Sequence, residues 1–191
     1  MATRAEDVDA VPDPAELEVR IAPMRRRHLR GVLRIETQVY PRPWTLGLFM
    51  SELGFRQSRV YLVARVGTVV AGYGGVMLVD HDAHITTIAV DPTWQRKGIA
   101  TRLLVGLARN AVEHGAESLT LEVRMSNIGA QDLYRRFGFA PAGVRKGYYA
   151  ETNEDALVMW AHDVRTVEYQ ARLDAIDAAI PGTTIIEGTW A

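Results

Sequence analysis

Residues 94–101 read WQRKGIAT, between a strand-like TTIAVDP and an apolar, helix-like RLLVGLARNAV. Arg96, Lys97 and Gly98 thus stand at the mouth of a helix, where the first backbone N–H groups have no intrahelical acceptor and the helix dipole is positive. A glycine there allows close backbone approach, so the turn suits a phosphate or pyrophosphate. It is no nucleotide P-loop, because the lysine precedes the glycine, and no dinucleotide fingerprint, because Gly98 stands alone. On its own the turn is equally a plain basic helix start. Other residues carry chemistry with the same ambiguity. Glu122, between Leu121 and Val123, is either a general base or an outward carboxylate on a half-buried strand. Tyr134 is either a proton donor or a core tyrosine beside Leu133 and Phe137. Asp80, His81, Asp82 and His84 have the composition of a metal site, but a polar turn between strands accounts for them, and no metal is expected. Ser126 has no histidine at a suggestive spacing, and the absence of cysteine excludes thiolate chemistry and disulfides.

At 191 residues the chain suits one domain with a real core. A formal net charge of −1 with 24% charged residues gives no general attraction to nucleic acid or an anionic membrane. No apolar run reaches the length of a membrane span. The opening MATRAEDVDAVPDPAELE is acidic and lacks the pattern of a secretory signal, so the cytoplasm is the expected compartment. The basic MRRRHLR reads as a solvated helix start rather than a nucleic-acid patch.

The elements that must position these groups follow from periodicity. Residues 1 to about 17 read as an acidic tail, disordered or loosely docked. EVRIAPM is a strand, RRHLRGVLRIETQVY a helix broken by YPRPW, and TLGLFMSELGF a second helix capped by Thr45 and stopped near Gly54. RVYLVARV and TVVAGYGGVMLV form a hairpin, and ITTIAV is a strand after the DHDAH turn. From Gly98 to His114, Ile99, Leu103, Leu104, Leu107, Ala108 and Ala111 share a face, with Arg102, Arg109 and Glu113 outside it. SLTLEV, SNIGAQDLYRRF, FAPAGVR and DALVMWA then give strand, helix and two strands. The fold class is α/β (α+β), a mixed and mostly antiparallel sheet flanked by helices. Residues 163–191 read as an extension: a helix with Tyr169, Leu173, Ile176 and Ile180 on one face, then a short TTII strand. That helix packs on its own domain or forms a dimer contact, so a monomer or weak homodimer is expected.

With these elements in order, ITTIAVDPTWQRKGIATRLL resembles the acyl-coenzyme A signature of the GNAT acetyltransferases. LTLEVRMSNIGAQDLYRRFGF, VRKGYYAETNEDALVMW and YPRPW narrow the resemblance to the RimI-type N-terminal acetyltransferases. It covers roughly residues 18–162; Ala100 stands where the family often has a third glycine, and the two ends of the chain lie outside it.

The resemblance implies a GNAT fold with splayed central strands and acetyl-coenzyme A as cosubstrate. Ile88, Ala89 and Val90 would line the pantetheine arm with their backbone. Arg96, Lys97, Gly98, Ile99, Ala100 and Thr101 would cradle the pyrophosphate, and Asn127 would hold the cofactor from the far side, unless it merely caps its helix. Glu122 would be the proton acceptor and Tyr134 the acid that protonates the departing thiolate. Asn127, Gln131 and Tyr134 would share one helix face toward the cofactor. Trp44 and Tyr149, beside Tyr148, would grip the substrate's N-terminus, although Trp44 is as readily core. The activity implied is direct acetyl transfer to a protein's N-terminal α-amine, with the N-terminal alanine of a ribosomal protein as leading substrate. An α-amine of pKa near 8 is about a tenth neutral at pH 7, whereas a lysine of pKa about 10.4 is almost wholly charged, so one carboxylate suffices as base. Acetylation of lysine or of a small amine is the rival activity, and a non-catalytic acyl-coenzyme A sensor the rival class.

Overall fold

A computed structural model describes residues 13–188. Eight strands form one open sheet: β1 (Glu18–Pro23), β2 (Arg59–Val66), β3 (Val69–Val79), β4 (Asp82–Val90), β5 (Ser118–Arg124), β6 (Ala140–Tyr149), β7 (Glu154–Ala161) and β8 (Thr183–Ile186). Their spatial order is β6-β7-β5-β4-β3-β2-β1-β8. All neighbours are antiparallel except β4–β5 and β1–β8. Among the described residues five α-helices cover the sheet: α1 (Leu29–Val39), α2 (Leu46–Glu52), α3 (Ile99–Glu113), α4 (Ile128–Arg136) and α5 (Val167–Ala178).

Strand alternation divides the core. On β2, Leu62 and Ala64 turn to one face, where they join Leu103, Leu104 and Leu107 of α3 and Leu173 of α5. Tyr61 and Val63 turn to the other, against Val32 and Ile35 of α1 and Phe49 of α2. Each fully buried leucine of α3 contributes about 1.5–3 kcal/mol by leaving water.

Parallel neighbours need a long crossover, and α3 supplies it between β4 and β5. The two strands pair only at Asp82↔Ser118, Ala83↔Leu119 and His84↔Thr120. Beyond that they part, while β3 follows β4 to Val90 and β7 follows β5 to Arg124. A bulge leaves Thr86 without a register partner on β3, just past the last β4–β5 pair. Bulges bend a strand and re-aim its side chains, and this one lies where the two strands diverge.

Three readings from sequence need refinement or correction. Of the tail expected to be disordered or loosely docked, the last residues are docked: Leu17 is 1% exposed and its carbonyl accepts the Thr183 N–H at 2.8 Å; residues 1–12 lie outside those described. The DHDAH turn is shorter than expected: β4 starts at Asp82, so Ala83 is buried and His84 is a strand residue. Arg102 is not on an outer face but 1% exposed. Its Nε donates to Thr184 Oγ1 at 2.9 Å, Nη1 to Lys97 O at 3.1 Å, and Nη2 to Pro181 O. Residues after 162 cover it: α5 buries Tyr169, Leu173 and Ile176, and β8 extends the sheet beside β1.

Candidate active site

The parting of β4 and β5 opens a cleft of about 280 Å³. Its walls are β4 and β5, its floor comes from α4, and its rim from the loop after α1 and the end of β6. Glu122, Tyr134, Asn127, Ile88, Trp44 and Tyr149 all line it.

Glu122 alternates with the buried Leu121 and Val123, so its side chain points to the cleft side of β5. The carboxylate is nearly enclosed, its side chain 8% exposed, and both oxygens are engaged. Oε2 lies 2.6 Å from His84 Nε2 across the splay, and Oε1 is 3.2 Å from Arg145 Nη2 on β6. Tyr149 donates its hydroxyl to the Glu122 carbonyl at 3.4 Å, while the Arg124 guanidinium stacks 3.9 Å over its ring. Glu151 and Glu154 hold Arg124 at 2.6 and 3.1 Å, so Tyr149 is fixed on both sides.

Tyr134 projects from α4 and packs at 5.9 Å on Phe139. Burial, reinforced by Tyr40 and Tyr149, raises its phenol well above the ordinary range, which keeps it a hydrogen-bond donor through neutral pH. Asn127 caps α4, its Oδ1 accepting the Ala130 N–H at 3.1 Å, and that acceptor is spent on the helix. Gln131 does not face the cleft as expected. It is 4% exposed, and its amide donates to Arg124 O and Met125 O at 3.1 and 3.0 Å.

Trp44 is both core and rim: it packs at 5.3 Å on Phe49 and lines the cleft. Its backbone N–H donates to Glu36 Oε2 at 2.7 Å, and the Tyr73 hydroxyl donates to the other oxygen of the same carboxylate. Glu36, 2% exposed, thereby ties the YPRPW loop to α1, and burial raises its pKa. Tyr40 reaches across to Thr87 and donates to Ile88 O at 3.3 Å.

At the far end of β4, Asp91 accepts the Thr93 N–H at 2.9 Å and pairs with Arg34 of α1, so the chain enters the basic turn in a fixed direction. Gly98 has φ +76° and serves as N-cap of α3, with no side chain capping that end. A Cβ on it would come within 2.8 Å of both Arg102 Nη1 and Ile180 Cγ2. The first helical bond is Arg102 N–H to Gly98 O, at 3.1 Å, which leaves the preceding N–H groups outside the helical ladder. Ile99 and Thr101 bury their side chains, whereas Arg96, with φ 63°, is exposed. The turn and the residues Ala89 and Val90 continue from the β4 wall and are not part of the cleft lining.

Sequence reasoning missed His84, Arg145 and Glu36. Glu36 had a signal: it shares the helical stripe of Leu29, Val32 and Leu33, so an acid faces inward. His84 was visible only as one of several polar residues, and Arg145 carried no local signal. No group of His, Asp and Glu among the described residues has metal-binding geometry. No helix among them is long and apolar enough to cross a membrane.

Comparison with known proteins agrees with this geometry. Residues 29–139 match the model of the acetyltransferase (GNAT) family. A provisionally named ribosomal protein bS18-alanine N-acetyltransferase of Bacillus subtilis is 39% identical over 137 residues, 72% of this chain and 91% of its own. The ribosomal protein bS18-alanine N-acetyltransferase of Escherichia coli is 33% identical over 141 residues, 73% of this chain and 94% of its own. The crystal structure of the Escherichia coli ribosomal-protein-S18-alanine N-acetyltransferase superposes with a TM-score of 0.69 at 31% identity, over 76% of this chain and 94% of that one. With a splayed β4–β5 pair, a basic glycine turn opening α3 and relatives of this likeness, the chain belongs to the GNAT acetyltransferase family.

Proposed function

We propose that this protein transfers the acetyl group of acetyl-coenzyme A to the N-terminal α-amine of a protein, with the alanine start of ribosomal protein bS18 as its substrate. The observation that carries the reading is the enclosed Glu122 carboxylate in the cleft where β4 and β5 separate. It agrees with relatives named for this reaction that cover nearly their full length.

The residues present fit the cofactor. Uncapped N–H groups from Gly98 to Thr101, beside Arg96 and Lys97, suit a pyrophosphate. The edge of β4 from Ile88 to Val90, which no longer pairs with β5, suits the amides of a pantetheine arm. Acetyl-coenzyme A, the acyl donor of this family, supplies an activated thioester. The protein supplies position and proton traffic: Glu122 takes a proton from the incoming ammonium, and the Tyr134 hydroxyl donates one to the departing sulfur. Trp44 and Tyr149, apolar rings with polar tips at the rim, hold the first residues of the peptide.

The test uses the full chain, acetyl-coenzyme A, and peptides bearing the bS18 N-terminus in free, N-blocked and lysine-free forms. Acetylation of the free and lysine-free peptides, and none of the blocked peptide, is expected. Acetylation surviving the block would move the activity to lysine, and cofactor binding without turnover on any amine would make the protein a sensor.

A further inference from the structure

Protons must leave the cleft in a defined number. A substrate arriving as an ammonium gives up two protons as its nitrogen forms the C–N bond and the C–S bond breaks with its electron pair on sulfur. One of the two ends on the thiol product, and the other has to reach water. Glu122 can accept it but is poorly placed to release it, since its side chain is only 8% exposed. His84 bonds to Glu122 at 2.6 Å and is 26% exposed, so it spans the distance from the enclosed carboxylate to solvent.

Other groups around the carboxylate are unsuited to the task. A guanidinium only donates hydrogen bonds, so Arg145, Arg124 and Arg42 offer no acceptor for a proton. The phenols of Tyr40, Tyr134, Tyr148 and Tyr149 are all raised by burial and hold their protons near neutrality. Glu36 is occupied by Trp44 and Tyr73, and Glu151 by Arg124. An imidazole, by contrast, has two ring nitrogens, so it can take a proton on one side and shed one on the other.

We propose that His84 is the proton exit of the active site. Glu122 receives the proton from the substrate ammonium and passes it from Oε2 to His84 Nε2. Nδ1 releases a proton to water, which returns the carboxylate to its ionised form and leaves a neutral imidazole as the Nε2–H tautomer; proton exchange between the part-exposed ring and water restores the Nδ1–H tautomer before the next turnover. His84 is thus a positioning and relay residue acting through Glu122, and the inference rests on the α-amine acetyltransferase reading above.

The experiment measures kcat and KM across the pH range for the full-length wild type and His84→Gln, on a free N-terminal alanine peptide, with and without added imidazole. Glutamine can still donate a hydrogen bond to Glu122 but cannot relay a proton. At about pH 7 the variant's kcat should fall about tenfold or more while KM for acetyl-coenzyme A stays unchanged. The deficit should shrink above about pH 9, where the α-amine arrives neutral and no proton needs to leave. Imidazole should restore turnover in a concentration-dependent way. If His84→Gln does not fold, His84→Asn carries the same test. A variant that tracks the wild type at every pH, or a pH-independent loss indifferent to imidazole, overturns the relay alone. A wild type inactive on every free α-amine overturns the functional reading, and this inference with it.

Discussion

In the proposed mechanism two protons move in opposite senses at this site, and Glu122 and Tyr134 divide the work. Glu122 has both carboxylate oxygens held, by His84 at 2.6 Å and Arg145 at 3.2 Å, so its orientation toward the cleft is set before substrate arrives. Tyr134 is kept protonated by burial. Removing the phenol oxygen should therefore strike turnover and spare cofactor binding: Tyr134→Phe is expected to lower kcat about 10²-fold or more, in the range of a lost general acid. Calorimetry with coenzyme A should return an unchanged affinity, and an unaltered kcat would remove Tyr134 from the chemistry. How much of this was legible from sequence depends on the residue. The face of Glu122 was legible, because Leu121 and Val123 flank it on an alternating strand, but alternation alone suited an outward carboxylate equally, and its role as base was implied only by the resemblance. Its partners were not, because a strand-to-strand contact such as His84 to Glu122 leaves no mark in local spacing. DHDAH looks like a turn for the same reason: polar residues at a strand end and in a turn have similar composition, and only the pairing of Asp82–His84 with β5 separates them.

Among the elements, the start of α3 and the start of α1 each carry a consequence that can be measured. Gly98 was legible as a turn glycine, and its φ of +76° explains why a side chain is unwelcome. Gly98→Ala would also press on Arg102 and Ile180, two groups whose approach no sequence pattern indicated. The turn would shift, and KM for acetyl-coenzyme A should rise about tenfold with a much smaller effect on kcat, a loss of roughly 1.4 kcal/mol in binding. Equal KM values for Gly98→Ala and wild type would separate the turn from the cofactor. The entry to α1 is pH-sensitive. His28 is 5% exposed, its Nδ1 accepts the Arg25 N–H at 3.1 Å, and its pKa is pushed down to about 4, first by burial and then by Arg27, Arg65 and Arg25. An unfolded histidine protonates near pH 6.5, so as pH falls from there toward about 4 the unfolded chain binds a proton that the folded one refuses. Stability is thus fully present above pH 6.5 and declines below it, by at most about 3 kcal/mol from this group. Urea unfolding should reveal that slope, and His28→Asn, which keeps an acceptor for Arg25, should flatten it; an equal slope in both proteins would assign it elsewhere.

At the scale of the whole molecule, the segment after residue 162 does more than extend the sheet. Its helical stripe of Tyr169, Leu173 and Ile176 was legible, because burial with a 3.6-residue period is a local signal, but Ile180, expected on the same face, lies past the helix end at Ala178 and against the Gly98 turn. Its reach to the basic turn was not. Gly182, at φ +82°, lies so close to residues 14–17 that a Cβ would meet Leu17 O at 2.4 Å, which ties the end of the chain to its beginning. Arg109 pairs with Asp174 and Asp177, both at 2.8 Å, along the α3–α5 contact. Arg102 then joins Pro181 and Thr184 to Lys97, one residue before the N-cap of α3. An arginine is an unusual core residue, and this one donates to the carbonyls of Lys97 and Pro181 and to the Thr184 hydroxyl. Arg102→Met fills similar space but removes the hydrogen bonds to Lys97 O, Pro181 O and Thr184 Oγ1, each worth about 0.5–1.5 kcal/mol. A fall in Tm of about 2–4 °C for each kcal/mol is expected. If Arg102 also steadies the turn, KM for acetyl-coenzyme A should rise together with the loss of stability. Thr184→Val, which removes one partner from the other side, should reproduce part of both effects, and the double variant should fall short of their sum because the two residues share one contact. Strict additivity, or a lowered Tm with cofactor binding untouched, would confine the C-terminal segment to a stabilising role.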